Sequence, residues 1–357
     1  MADERFRKFF DRRTSELYGE DGLPENCHLL HRALINSLMN DFQGKAKLRR
    51  ASMCLDGTPV VYSLKSTRNA DVVPFRMLVE PGGLGITVLE QINISLRVVD
   101  ELLHKLGWEF VLHDLNAVIS RVFPWDADTT RKLWGGIWLG CDLSKDDVQL
   151  RLYLNLRYDE ALCRWQRLAD VLTWFSEGAL AAQLKMSFEQ ISLYAIPVGL
   201  GLVISEQIHA IRLYVGVQHP NHESMLKAGI NKLHGSERDV GFVCRSFTDA
   251  FGPFIQQSVT LGYDFILDKG RLMQPEIKRT KIDISCQLIK RDKLYLLIPL
   301  IIDLVRYWNL DDQKLNGFLE DITECFGGFE IEFISLGFVE GLEHITTYVK
   351  PHGFKNT

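Results

Sequence analysis

The sequence predicts an α+β fold: a ten-stranded antiparallel β-barrel with a solvent-filled lumen, surrounded by a ring of α-helices. Three observations carry that expectation. In Asp147–Asn155, DVQLRLYLN, Leu150, Leu152 and Leu154 point to one side while Gln149, Arg151, Tyr153 and Asn155 point to the other. The pairing of a cation with a tyrosine two residues later returns as Arg212 and Tyr214 in HAIRLYVGV, and related polar faces recur at Phe75–Glu80, Lys281–Ser285 and His344–Lys350. Strand pairs and helical stretches also alternate along the chain in units of about 60–75 residues, a period worth testing before anything else.

The elements follow in order. Arg5–Leu17 and Leu29–Phe42 read as helices around a Gly/Pro break at Gly22–Pro24, so residues 1–50 form a helical segment packed on the rest. Thr58–Lys65 and Val73–Glu80 make the first strand pair, followed by helices at Leu89–Leu106 and Asp114–Val122. Lys132–Leu143 and Val148–Arg157 make the second, with helical sequence from Glu160 to about Leu184. Ser192–Ser205 and Ala210–Gln218 precede helices at His222–Leu233 and Glu237–Phe251. Gln257–Leu267 and Arg279–Leu288 precede helices at Lys293–Trp308 and Asp311–Cys325, and Phe329–Gly337 with His344–Lys350 completes the set. Consecutive hairpins suit a sheet closed on itself, which removes edges. The apolar strand faces need helices over them, so the polar faces line the interior. Without a linker or low-complexity segment, residues 1–357 read as one domain.

Composition narrows the function. A net charge of -5 argues against a general nucleic-acid binder, and seven scattered cysteines without a CxxC pair suit reduced thiols in a cytoplasmic protein. Leu294–Val305 is too short to span a bilayer and carries Pro299 and Asp303, so no membrane association is expected. No HExxH, GxSxG or P-loop occurs. Glu320–Glu324 reads as a solvated helix face.

Cations gathered in a low-dielectric interior call for an anion. Arg76, Arg151, Arg212 and Lys281 would suit a diphosphate, with arginine supplying bidentate contacts and lysine a point charge. Tyrosines beside them can bond phosphate oxygens, and their ring faces can shelter a carbocation. An allylic diphosphate needs both services. Arg151→Ala or Arg212→Ala should then weaken donor binding while leaving the fold intact.

The motifs FRMLVEP (Phe75–Pro81), GCDL...LRLYLN (Gly140–Asn155), IRLYVG (Ile211–Gly216) and TTYVKP (Thr346–Pro351), in this order, resemble aromatic prenyltransferases of the dimethylallyltryptophan synthase type, the ABBA or PT-barrel family. The resemblance covers about residues 50–352 and implies transfer of a dimethylallyl group, with geranyl as the alternative, from its diphosphate to an electron-rich aromatic acceptor such as an indole alkaloid. It implies no required cofactor or metal, and a monomer or homodimer whose partners are dimethylallyl diphosphate and an aromatic small molecule. Carried over by motif, Arg76, Arg151, Arg212 and Lys281 bind diphosphate, while Tyr153, Tyr214 and Tyr348 shield the allyl cation. Three places depart from the family: Ala210 stands where a further cation is common, Asp283 where the fourth unit often offers a tyrosine, and Val61 where an indole-binding glutamate is expected. Glu80, Asp283, Glu330 and Glu332 are the candidate bases, although Glu80 and Asp283 read first as ion-pair partners of the cations. A non-catalytic barrel binding an anionic prenyl phosphate or similar amphiphile is the alternative.

Overall fold

The computed structural model describes residues 2–18, 25–39, 60–68, 75–81, 87–123, 135–143, 148–158, 160–176, 195–217, 237–252, 259–272, 279–287, 289, 291–339 and 341–352. Ten strands run in five hairpins: β1 (Val60–Thr67) with β2 (Phe75–Val79), β3 (Ile137–Leu143) with β4 (Val148–Asn155), β5 (Ala195–Ile204) with β6 (Ile208–Val217), β7 (Val259–Ile266) with β8 (Arg279–Ser285), and β9 (Phe329–Phe338) with β10 (Leu342–Pro351). Each strand is antiparallel to its neighbours, and β1 pairs with β10 to close the barrel. All hairpin turns therefore lie at one end, and the helical connections at the other.

The two strand faces have different fates. On β4, Leu150, Leu152 and Leu154 are fully buried beneath helices, whereas Gln149, Arg151 and Tyr153 face inward and are half-buried. The outward residues of all ten strands join the helices in one continuous apolar core. At about 25 cal/mol per Å² of apolar surface removed from water, this jacket is the main stabilising term.

Eight α-helices lie among the described residues: α1 (Ala2–Tyr18), α2 (Glu25–Met39), α3 (Val88–Leu106), α4 (Leu112–Val122), α5 (Ala161–Phe175), α6 (Glu237–Phe251), α7 (Leu297–Tyr307) and α8 (Gln313–Phe326). None is long and apolar enough to cross a membrane. The helix expected at His222–Leu233 lies outside the described residues. The single helix expected over Lys293–Trp308 is instead a 3-10 segment, Arg291–Leu296, followed by α7. Pro299 explains the division: without an N–H it is tolerated in the first α-helical turn and not in an interior one.

Local chemistry ties helices to the wall. Thr87 caps α3 by accepting from the Glu90 N–H at 3.2 Å while Glu90 returns the contact to the Thr87 N–H at 2.6 Å, and Gly107 ends the helix in the left-handed conformation (φ 72°). The buried Gln91 amide donates to the carbonyls of Pro81 (3.2 Å) and Ile137 (2.8 Å), pinning α3 to the ends of β2 and β3.

Helix α1 corrects one expectation. Its Phe6, Phe9 and Phe10, at i, i+3 and i+4, pack on Tyr62 and Phe75 of the outer wall and on Phe318 and Phe326 of α8. Arg13, fully buried, bonds Asp321 at 2.7 Å, and Arg12 reaches Asp321 at 2.5 Å. Asp321 is 3% exposed, so Glu320–Glu324 is not simply a solvated face: its middle acid is the buried counter-ion of the first helix.

Candidate active site

The interior is built from residues of alternating parity on all ten strands. Arg76 on β2, Ser63 on β1, Tyr348 on β10 and Phe333 on β9 lie in consecutive register. Trp138, Tyr153, Gly201, Arg212 and Asp264 form a second such row across β3 to β7, while Arg76 itself lies opposite Asp142 of β3. Side chains from non-adjacent strands meet only on the concave side, and several do. Arg76 donates to the Tyr348 hydroxyl at 2.9 Å and Lys281 donates to the same oxygen at 3.3 Å. Tyr153 and Tyr214 approach with ring centroids 6.1 Å apart, and the Lys281 ammonium lies 5.8 Å from the Tyr214 ring centre and 5.4 Å from that of Tyr348. All seven residues expected to handle the donor thus share one surface.

The sequence reading singled out Asp283 as an ion-pair partner of the cations but missed Asp142 and Asp264. Asp142 bridges two arginines, taking Arg76 on both oxygens, the Nη2 contact at 2.8 Å, and Arg151 Nε at 2.6 Å. Asp264 accepts two bonds from Arg212, one at 2.5 Å. Lys281 pairs with Asp283 at 2.8 Å. Only strand parity in GCDL and GYDF marks Asp142 and Asp264 as inward; their partners depend on register. Among the described residues of the cluster nearer the hairpin end, five cations, Lys65, Arg76, Arg151, Arg212 and Lys281, face three carboxylates, Asp142, Asp264 and Asp283, an excess of two positive charges there.

Protonation follows from burial set against these charges. Burial pushes Asp142 and Asp264 up, but the guanidiniums outweigh it and hold both carboxyls below the usual range. Burial likewise disfavours charge on Arg76, Arg212 and Lys281, yet their carboxylate partners keep all three firmly cationic. Burial raises the Tyr214 phenol, whereas at Tyr348 the Lys281 and Arg76 charges overcome it and lower the pKa.

Depth along the axis is ordered. On β4 and β6 the arginine lies one inward step nearer the hairpin end than the tyrosine, and Arg76 lies at the hairpin end of β2. Val61, Leu78 and Tyr348 form a small apolar cluster with Tyr153 and Phe333. Toward the helical end, Glu80 accepts from Trp138 Nε1 at 3.0 Å, and Lys350 pairs with Glu330 at 2.6 Å and Glu332 at 2.7 Å. The candidate bases therefore separate: Asp283 belongs with the cations, while Glu80, Glu330 and Glu332 lie beyond the tyrosines. Space between the large side chains comes from glycines; a Cβ on Gly201 would stand 3.2 Å from the Tyr214 ring.

A closed ten-stranded wall around a cationic, tyrosine-lined interior, with helices outside, defines a PT barrel. Solved aromatic prenyltransferases share this architecture. The 5-dimethylallyltryptophan synthase from Streptomyces coelicolor superposes with a TM-score of 0.76 at 16% identity, covering 99% of this chain and 98% of that one. PriB, in a binary complex with product diphosphate, gives 0.74 at 17% identity, covering 97% and 94%. AnaPT from Neosartorya fischeri gives 0.66 at 12% identity, covering 92% and 87%. At these identities the likeness is one of fold. No protein-family model matches the chain, and no curated protein matches it in sequence.

Proposed function

We propose that this protein is an aromatic prenyltransferase that moves a dimethylallyl group, or a geranyl group, from its diphosphate to an electron-rich acceptor such as an indole alkaloid. The observation carrying this reading is the convergence of Arg76 and Lys281 on the Tyr348 hydroxyl, opposite Arg151 and Arg212 with their tyrosines. The solved relatives of like fold include a Streptomyces coelicolor synthase in complex with DMASPP and Trp, and PriB with L-tryptophan and dimethylallyl thiolodiphosphate.

The allylic C–O bond breaks heterolytically, and the electron pair leaves with pyrophosphate. Arg76, Arg151, Arg212 and Lys281 meet the charge that develops there, already oriented by Asp142, Asp264 and Asp283, so little reorganisation is needed. This protein charge supports a reaction without a required metal. The allyl cation lies against Tyr153, Tyr214 and Tyr348, whose ring faces stabilise it. An acceptor ring carbon attacks the cation, and the ring proton passes to a base. Glu80, Glu330 and Glu332 are the candidates on the acceptor side of the tyrosines, while the ion pair of Asp283 with Lys281 favours a role beside the diphosphate-binding cations. Water must be excluded, because it would quench the cation.

The test is incubation of the purified protein with dimethylallyl diphosphate and tryptophan or a simple indole. The expected result is an acceptor heavier by one prenyl group together with released pyrophosphate. Saturable donor binding without turnover across a panel of indoles and phenols would overturn the enzyme reading in favour of a prenyl-phosphate carrier.

A further inference from the structure

We propose that Lys65, with the hydroxyls of Ser63 and Ser335, forms a phosphate subsite beside Arg76 and Lys281 that takes the terminal phosphate of the donor. The proposal rests on the reading that the interior binds a prenyl diphosphate. Four cations of the interior cluster have carboxylate partners: Arg76 and Arg151 share Asp142, Arg212 holds Asp264, and Lys281 holds Asp283. Lys65 differs. Among the described residues it is an inward-facing strand ammonium, partly buried, with no ion pair or hydrogen bond.

Two further orphans lie around it. Ser63 is 1% exposed and Ser335 fully buried, and neither hydroxyl has a hydrogen-bond partner among the described residues. The register brings them together. Ser63 lies opposite both Arg76 and Tyr348, Lys65 opposite Thr346, and Ser335 opposite both Thr346 and Asp283. Lys65, Ser63 and Ser335 thus occupy the wall between Arg76 and Lys281, whose charges already meet at Tyr348. Buried hydroxyls without partners cost free energy that an anion can recover, and an ammonium between them supplies the matching charge. Lys65 lies one inward step nearer the hairpin end than Ser63 and Tyr348, on the side away from the tyrosines. A diphosphate whose allyl group faces the tyrosines directs its terminal phosphate that way.

The surroundings give the subsite a pH signature. The groups facing Lys65 are Glu343 and His344 on β10, Arg279, Lys281 and Asp283 on β8, Arg76 on β2 and Asp142 on β3. Burial lowers Lys65 to about 8; Arg279 and Arg76 push the same way, against Glu343 and Asp142. A bound anion favours the protonated form, so the contribution of Lys65 fades as pH rises through 8.

Calorimetric titration with inorganic pyrophosphate at pH 7 and pH 9 tests this. Lys65→Gln is expected to raise the Kd about tenfold at pH 7, and Ser63→Ala/Ser335→Ala about threefold. Lys65→Arg should restore most of the affinity, and Lys105→Gln on the exposed face of α3 should change nothing. Pyrophosphate's own titration is common to all variants, so the ratio of Lys65→Gln to wild-type Kd should shrink at pH 9. Wild-type affinity in both Lys65→Gln and the double serine variant overturns the subsite and leaves the donor reading standing. A wild-type protein that does not bind pyrophosphate overturns both. If Lys65→Gln fails to fold by near-ultraviolet circular dichroism, the serine pair decides: an unchanged Kd there refutes the proposal.

Discussion

Arg151 and Arg212 look equivalent in sequence, yet the ion-pair geometry predicts that their removal has very different consequences for folding. Arg212 supplies both hydrogen bonds that Asp264 receives, and Asp264 is 5% exposed. Arg212→Ala therefore leaves a buried carboxylate without its partner, a loss of about 3–5 kcal/mol. Arg151 and Lys281 also act on Asp264 through space, which favours the lower figure. Arg151→Ala differs, because Asp142 keeps both bonds from Arg76, and the cost should be about 1 kcal/mol. An unfolding entropy of about 2.1 cal/mol/K per residue, over 357 residues, makes each kcal/mol worth about 1.3 °C in Tm. Arg212→Ala should thus melt about 4–6 °C below wild type and Arg151→Ala about 1 °C below, both with weakened pyrophosphate binding. Thermal and urea unfolding measure this. Adding Asp264→Asn should recover much of the stability lost in Arg212→Ala. The sign of the pH effect is a further check. With Arg212 present the Asp264 pKa is depressed, so its contribution is lost as pH falls. In Arg212→Ala the charge that most lowers that pKa is gone while burial still raises it, so less stability is left to lose on acidification and lowering the pH should narrow the gap from wild type. Equal Tm losses for the two arginine variants, or no recovery in the double variant, would refute the reasoning.

Three other outcomes are expected. Asp321→Asn takes the carboxylate charge from beside the fully buried Arg13 and should cost about 3 kcal/mol in urea unfolding; a loss below about 1 kcal/mol would mean that this ion pair does not hold α1 in place. Gly201→Val pushes the Tyr214 ring aside, since a Cβ there meets Tyr214 at 3.2 Å and Arg212 at 3.4 Å; prenyl transfer should fall about tenfold or more with the barrel intact by circular dichroism. Burial, helped by Lys65 and Lys281, lowers His344 to about 3 despite Glu343 at 3.2 Å. The unfolded chain binds that proton first, so stability should drop as pH falls from about 6.5 toward 3, by up to about 1.4 kcal/mol per pH unit for this residue. His31, lowered to about 3 by burial, acts in the same direction, so His344→Gln should reduce the acid slope without abolishing it.

The sequence by itself determined the strands and their faces. A period of two survives any arrangement of neighbours, and outward leucines such as Leu150, Leu152 and Leu154 require a helical cover wherever they lie. The same parity placed Arg151 with Tyr153 and Arg212 with Tyr214, so both arginine–tyrosine pairs were legible before any contact was known. What only the tertiary structure decided is which charges meet. Asp142 joins Arg76 across 66 positions, Asp264 joins Arg212 across 52, and Asp321 joins Arg13 across 308. Those pairings depend on strand register, on closure of β1 onto β10, and on the docking of α1, none of which leaves a local pattern. Lys65 became distinctive for the same reason: an ammonium unpaired among the described residues is defined by its neighbours, and the neighbours exist only once the barrel has closed.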